Sequence, residues 1–322
     1  MRGGILTFAD AGPDQFVSFE DLVTLDGSNS STAVPGGLDY YWNCVQGCGD
    51  LCLILEQHIG PIPVAQRVIK DFPEIPDLER PPWPGNVVAP SFDAPLRVGS
   101  LILQLRVTDS YGESDTDEVV VTIFEDANHA VFVSLAGNNS DTGTMANPLA
   151  DIIAAADRAN SFRQCEDTGA ACSSDSECSG ACIPADIYVQ EGDHTAADTI
   201  HVKNRMSLYG GFANDWTRTS EIPTRIQGAT TALSVSGVRD LTLIDGLHIK
   251  SRDGVAPSTY GFAGNSIALY VQNSTGALEI RNNLLEAGLG GTGGPAPEYD
   301  ESAASGEPGG DGEAGLPGVY VI

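Results

Sequence analysis

The chain has 322 residues, enough for two domains, and a hydrophobic fraction of 41%, enough to build cores. Acidic residues outnumber basic ones 44 to 16, giving a net charge of −28; such a surface repels nucleic acid and anionic membranes and favours solubility and divalent cations. No apolar run approaches the roughly 18 residues that a membrane-crossing helix needs, and aromatics at 7% with 37 Gly and 19 Pro suit short strands and many turns.

The N-terminus, Met1 to Phe8, is too short for a secretory signal and leads straight into domain sequence. Residues 9–124 read as all-β. Phe16-Val17 and Leu22-Val23-Thr24-Leu25 are early strands, Asp26-Gly27-Ser28 is a turn, and Tyr40-Tyr41-Trp42 is a strand with a large aromatic. Leu101 to Val107 and Glu118 to Ile123 form a closing pair around the turn residues Asp109 to Ser114. This is the layout of a β-sandwich with a buried Trp between its sheets. Asp10, Asp14, Asp26 and Asp109 fall in loops and are the candidate Ca²⁺ ligands, with a turn role as the competing reading. Trp83, within Pro81-Pro82-Trp83-Pro84, is a candidate sugar-stacking aromatic, against a role covering core. Cys44, Cys48 and Cys52 are spaced four apart, so two of them can pair and one thiol is left over.

Ala11-Gly12-Pro13-Asp14-Gln15, Val23 to Ser28, Tyr40-Tyr41-Trp42 and Leu105-Arg106-Val107-Thr108-Asp109-Ser110-Tyr111-Gly112 together resemble a PKD-type immunoglobulin-like domain over nearly all of this region. Residues 44–95 are longer than that family has between those strands and are expected to form an insertion. The resemblance implies a spacer or adhesion module of the kind found on secreted enzymes and surface proteins.

After a polar link at 125–130 come Val131-Phe132-Val133-Ser134, a Gly/Asn/Asp loop and Asn147-Pro148. Leu149 to Asn160 has helical spacing, with Leu149, Ile152, Ile153 and Ala156 on one face. Cys165, Cys172, Cys178 and Cys182 then crowd a Ser/Gly/Asp/Ala-rich segment that has no core of its own. Two local disulfides are expected, with three connectivities open, and they imply export. Zinc is the rival reading, but neither cysteine cluster holds a pair of C-x-x-C steps and His is scarce nearby.

From Asp186 onward two columns recur at roughly 35-residue spacing, the mark of a solenoid in which each coil buries its apolar face against its neighbours. One column is Leu208-Tyr209-Gly210-Gly211-Phe212, Leu243-Ile244-Asp245-Gly246-Leu247 and Ile280-Arg281-Asn282-Asn283-Leu284. The other is Ile200-His201-Val202, Leu233-Ser234-Val235 and Leu269-Tyr270-Val271. The helix at 149–160 is expected to cap the open end of the coils. Gly210-Gly211, Asp245-Gly246 and Asn282-Asn283 share one slot, which stacked turns explain, because these residues tolerate left-handed backbone.

The order of strand, Asn-Pro loop, helix, Asp186-Ile187-Tyr188-Val189-Gln190-Glu191-Gly192 and Leu208-Tyr209-Gly210-Gly211-Phe212 resembles the start of right-handed parallel β-helix proteins of the pectate-lyase-like class, over about residues 131–286. It is closest to their bacterial surface members of no known enzymatic activity. The expected organisation is all-β: a sandwich at 1–126 with a long insertion at about 44–95, then a parallel β-helix at 127–322 carrying the disulfide-rich insert 165–182 and a Gly-rich acidic loop at 288–318. The C-terminal Val319-Tyr320-Val321-Ile322 has the pattern of a further strand, so more coils are expected beyond it.

A polysaccharide lyase on such a fold needs Ca²⁺-binding carboxylates and a base on one exposed face. In Asp245 to Asp253, Leu247 and Ile249 are expected to point inward, and His248 and Lys250 outward, with Arg252 beyond them and Glu286 near the His248 column. His248, Lys250 and Arg252 are therefore the catalytic candidates, set against an ordinary solvated strand face.

No sequence motif names a reaction, and no cofactor other than calcium is suggested. The expected function is a secreted or cell-surface bacterial protein with a structural or adhesive role, extending to glycan recognition. Its partners would be polysaccharide or other surface components or further copies of itself, and not nucleic acid. The alternatives are a lyase or hydrolase of acidic polysaccharide whose catalytic coils lie further on, and a fibre or sheath subunit assembling through open strand edges. The acidic surface, which repels polyuronates, weighs against the enzyme.

Overall fold

Strand dominates both halves of the chain, as its short alternating runs and frequent turns require. The computed structural model describes residues 7–47, 86–218, 223–256, 263–294 and 319–321. Two units are distinguished, Met1–Ala127 and Asn128–Ile322.

The first unit contains β1 (Thr7–Phe8), β2 (Gln15–Ser18), β3 (Leu22–Thr24), β4 (Ser31–Thr32), β5 (Leu38–Gln46), β6 (Ser91–Asp93), β7 (Gly99–Asp109) and β8 (Ser114–Phe124). The hairpin β7–β8 is its backbone. Period-two alternation sends Leu101, Leu103, Leu105 and Val107 inward along β7, facing Val119 and Val121 from β8. Asp109 makes the turn: its Oδ1 accepts from the Tyr111 and Glu113 N–H groups at 2.8 and 3.1 Å, and Gly112 takes φ +86°. β5 pairs antiparallel with β7, placing Trp42 opposite Leu105, and β2 adds to β8 in parallel.

β3 and β6 form a separate antiparallel pair, as do β1 and β4. Val23 and Phe92 of the small pair join Trp42, Leu103, Leu105 and Val121 of the four-stranded sheet in one core. β6 lies within the stretch 44–95 that patterning assigns to an insertion, yet its pairing with β3 makes it part of this core. A three-residue strand among prolines carries too short an alternation to be read.

The second unit opens with β9 (Ala130–Val133), helix α1 (Ile152–Ser161), and the short hairpin of β10 (Arg163–Cys165) with β11 (Cys182–Pro184). The helix starts three residues later than its spacing suggests. Asp151 is its N-cap, its carboxylate accepting from the Ile153 N–H at 2.6 Å, and Leu149 pairs instead with Val133 in a parallel bridge.

The chain then runs through β12 (Asp186–Gln190), β13 (Gly192–Thr195), β14 (Ile200–Val202), β15 (Leu208–Phe212), β16 (Thr224–Gln227), β17 (Thr231–Ser236), β18 (Thr242–Asp245), β19 (Leu247–Lys250), β20 (Ile267–Gln272), β21 (Leu278–Arg281), β22 (Leu284–Glu286) and β23 (Val319–Val321). Three sheets collect every third strand. The first has the order β9-β12-β15-β18-β21, the second β13-β16-β19-β22, and the third β14-β17-β20. All neighbours in these orders are parallel, and β23 adds to β22 antiparallel. Ile187, Leu208 and Ile244 of the first sheet, Ile226 and Ile249 of the second, and Ile200 and Leu233 of the third meet in one core. Ile152, Ala155, Ala156 and Ala159 of α1 pack into the same core.

The third-sheet register follows the sequence column: Ile200 aligns with Leu233 and Leu269, and His201 with Ser234 and Tyr270. The first-sheet column is corrected by one residue. Leu208 aligns with Ile244, and Ile244 with Ile280, so Leu243 does not share their row. A one-residue slip exchanges the faces of a strand, and here the true register puts Ile244 and Ile280 against the core. The left-handed turn positions are Gly211 at φ +83°, Gly246 at +77° and Asn282 at +54°.

Candidate functional site

The outward face of the second sheet carries two charged rows. Strand pairing aligns Asp193, Arg225 and His248 in one row, and Thr195, Gln227, Lys250 and Glu286 in the next. Alternation along β19 buries Leu247 and Ile249 and turns His248 and Lys250 outward. Glu286 joins the two rows: its carboxylate lies 2.5 Å from Lys250 Nζ and 3.1 Å from His248 Nε2. Lys250 first, then His248, holds the Glu286 carboxyl below the ordinary carboxylate range. One row over, Arg225 reaches Asp193 at 3.4 Å.

Arg252 does not join this cluster. β19 ends at Lys250, and the Arg252 guanidinium donates to the Ala196 carbonyl at 3.1 Å. The arrangement can place a carboxylate, an imidazole and an ammonium within reach of one exposed ligand.

A second constellation was hidden from sequence reading. The far side of the first sheet is a buried aromatic ladder: Phe132, Tyr188 and Tyr209 stack at 5.4 and 5.2 Å between ring centroids. Phe212 and Trp216 meet it edge-on. The next rung is Asp245, which aligns with Tyr209 and then with Arg281. Arg218 closes over it, with its guanidinium 5.6 Å from the Tyr209 ring, 5.5 Å from the Phe212 ring and 3.3 Å from the Asp245 carboxylate. Burial pulls the Arg218 pKa down, and Asp245 opposes that. Arg281 at 3.2 Å and the Asn282 amide at 2.8 Å complete the shell of Asp245. A lone Arg ahead of a Pro-containing loop carries no periodic signal, so only the aligned pair Asp245 and Arg281 could have hinted at the network.

Of the four aspartates considered for calcium, Asp10, Asp26 and Asp109 hold local turns, and Asp14 binds a strand N–H far along the chain. Asp10 accepts from Gly12 N–H at 2.9 Å, Asp26 from Ser28 N–H at 2.9 Å, and Asp14 from Val120 N–H at 2.8 Å. Asp109 holds its turn and also accepts from the Thr7 hydroxyl at 2.7 Å. Hydrogen bonds from Ser28 lower the Asp26 pKa, and the Thr7 hydroxyl is the main cause of lowering at Asp109. Among the described residues, the one group of three close metal-ligand types is Cys165, Cys172 and Cys178. Those sulfurs are in disulfides, Cys165–Cys178 and Cys172–Cys182, so no thiolate is left there for zinc. Cys44 is disulfide-bonded too. Cys48, Cys52 and Trp83 lie outside the described residues, as does most of the Gly-rich stretch 288–318.

No family model matches the chain, and no curated protein matches it. Among solved structures, it is similar to the solution structure of the PKD domain from KIAA 1837 protein, with 25% identity over 39% of this chain and 94% of that one. The TM-score of that likeness is 0.23. The chain is an all-β protein with antiparallel and parallel sheets and local disulfides, and no described helix is long and apolar enough to cross a membrane.

Proposed function

We propose that this chain is an extracellular structural or adhesion protein, in which an immunoglobulin-like sandwich precedes a right-handed parallel β-helix whose outer faces meet polysaccharide or other surface components. The observation that carries the reading is the Glu286 carboxylate, ion-paired with Lys250 and in contact with His248 on the neighbouring strand. Charges paired across neighbouring strands add little stability but present an ordered polar face, which suits a platform. The local disulfides favour an oxidising compartment. The sandwich would act as a spacer, and calcium would enter as a bridging ion on an acidic surface rather than through a dedicated cage.

A second reading rests on the His248–Glu286 contact, since a carboxylate-oriented imidazole is also a general base. A polysaccharide array, probed with calcium and with chelator while unsaturated-sugar absorbance is followed, separates the two. Retention without cleavage supports the platform. Cleavage of a polyuronate that Lys250→Ala and His248→Ala both abolish would replace it with a lyase.

A further inference from the structure

We propose that the Cys172–Cys182 disulfide is a thiol-exchange site: a low-molecular-weight thiol attacks Cys172, stays there as a mixed disulfide, and releases Cys182 beside the Arg163 guanidinium. The site uses none of the residues of the charged face on the second sheet, and it stands or falls independently of how that face is read.

The two disulfides of the insert differ in what surrounds their sulfurs. Exposure does not separate them, since each joins a buried cysteine, Cys165 or Cys182, to a half-buried one, Cys178 or Cys172. Charge does. Arg163 Nε donates to Cys182 Sγ at 3.3 Å, and the same guanidinium donates to the Cys182 carbonyl, which fixes it at that residue. A cation beside a sulfur stabilises its thiolate, and the sulfur more stable as thiolate is the better leaving group. The sulfur of Cys165 instead lies 3.9 Å from the Glu177 carbonyl oxygen, whose partial negative charge disfavours a thiolate there. The Asp175 carboxylate is also close to Cys182, but it accepts from the backbone N–H at 2.8 Å while the guanidinium meets the sulfur.

The attacked sulfur is Cys172, the half-buried member of its pair, because Cys182 is only 3% exposed. The incoming thiol first loses its proton to solvent. Its sulfur then bonds to Cys172 Sγ, the Cys172–Cys182 bond breaks, and the electron pair of that bond stays on Cys182 Sγ. The external sulfur is oxidised, Cys182 is reduced, and no other reactant enters.

The insert holds the parts together once the bond opens. The Cys172 N–H donates to the Arg163 carbonyl at 3.2 Å, Cys182 stays paired opposite Cys165 across β10 and β11, and Cys165–Cys178 still closes the segment. Cys182 can therefore return to Cys172 and expel the thiol, so the modification is reversible. Cys172 Sγ lies within 4.8 Å of the Cys165 and Cys178 sulfurs. As a mixed disulfide it carries no thiolate to attack them, and the second link survives.

The test is brief exposure of the full chain to 2-mercaptoethanol, an acid quench, alkylation of free thiols and peptide mass mapping. The adduct is expected on Cys172 and the alkyl label on Cys182, with this disulfide opening at least about tenfold faster than Cys165–Cys178 in the same molecules. Arg163→Met is expected to slow that opening by about tenfold and to leave Cys165–Cys178 unchanged, whereas Arg163→Lys, which keeps the charge, stays near the wild-type rate. Equal opening of the two disulfides in the wild-type chain overturns the proposal, a result that needs no variant to fold. So does an adduct on Cys182, or a Cys172–Cys182 bond that opens no more slowly in Arg163→Met.

Discussion

The Arg218 guanidinium lies 3.3 Å from the Asp245 carboxylate, with Asp245 buried, Arg218 nearly so, and two aromatic rings flanking the cation. Asp245 occupies the rung of the first sheet that follows Tyr209, so the ion pair takes the place of another aromatic in the ladder. Removing Asp245 leaves Arg218 charged and nearly dry, whereas Asp245 without Arg218 keeps Arg281 and Asn282. Asp245→Ala is expected to destabilise the second unit by about 3–5 kcal/mol, read as a lower denaturant midpoint. The double variant Arg218→Met/Asp245→Leu, which removes both charges, should recover much of that loss. A double variant as weak as Asp245→Ala alone would show that packing around Arg218, and not its charge, is what matters.

The two disulfides cross within 165–182, where most residues are exposed and no large side chain is buried. Their contribution is expected to be local. Replacing Cys172 and Cys182 with Ser opens a link of sequence separation 10, which chain entropy values at about 2–3 kcal/mol for the segment it closes. Hydrogen exchange should speed up across the insert and at Arg205, which Glu166 holds, and stay unchanged in β12, β15 and β18. Faster exchange in those strands would mean the insert belongs to the cooperative core.

How much was legible in the sequence follows from what repeats. The His201, Ser234 and Tyr270 row was readable because each strand keeps strict alternation, and periodicity of that kind is what a sheet face imposes. His248, Lys250 and Glu286 could be placed on one face for the same reason. The first-sheet register slipped by one because Gly210-Gly211 supplies an extra residue before its turn, and Leu243 and Ile244 are both apolar, so composition alone cannot say which faces in. Arg218 was invisible because its position depends on a loop folding back over the ladder, a contact between segments with no shared period.

His194 is 2% exposed, its Nε2 lies 2.9 Å from the Gln190 carbonyl, and its Nδ1 has no partner among the described residues. Burial is the main cause that lowers its pKa, against smaller opposing effects from the Gln190 and Glu191 backbone and from Asp193. The unfolded chain therefore takes up the proton more readily than the native one. Stability from this residue is present above the ordinary histidine value of about 6.5 and is lost as pH falls below it. Thermal midpoints at pH 7.5 and 5.5 check this. The wild-type midpoint should fall on acidification, and His194→Leu should fall measurably less. An equal fall in both proteins would place the acid sensitivity elsewhere.

Trp42 is 1% exposed at the centre of the first unit's core, and its indole N–H has no partner among the described residues. The ring holds the four-stranded sheet and the β3–β6 pair in one core, so its loss would leave a cavity that Val23, Phe92 and Leu105 cannot refill. Trp42→Ala is expected to cost about 3–5 kcal/mol. Trp42→Phe keeps most of the packed ring and removes an orphaned donor, so a cost of about 1–2 kcal/mol is expected, the cavity being partly offset by the desolvation it relieves. Urea unfolding followed by circular dichroism measures both. A phenylalanine variant as unstable as the alanine one would mean that the indole N–H finds a partner in solution, such as a bound water, and that its loss matters as much as the volume.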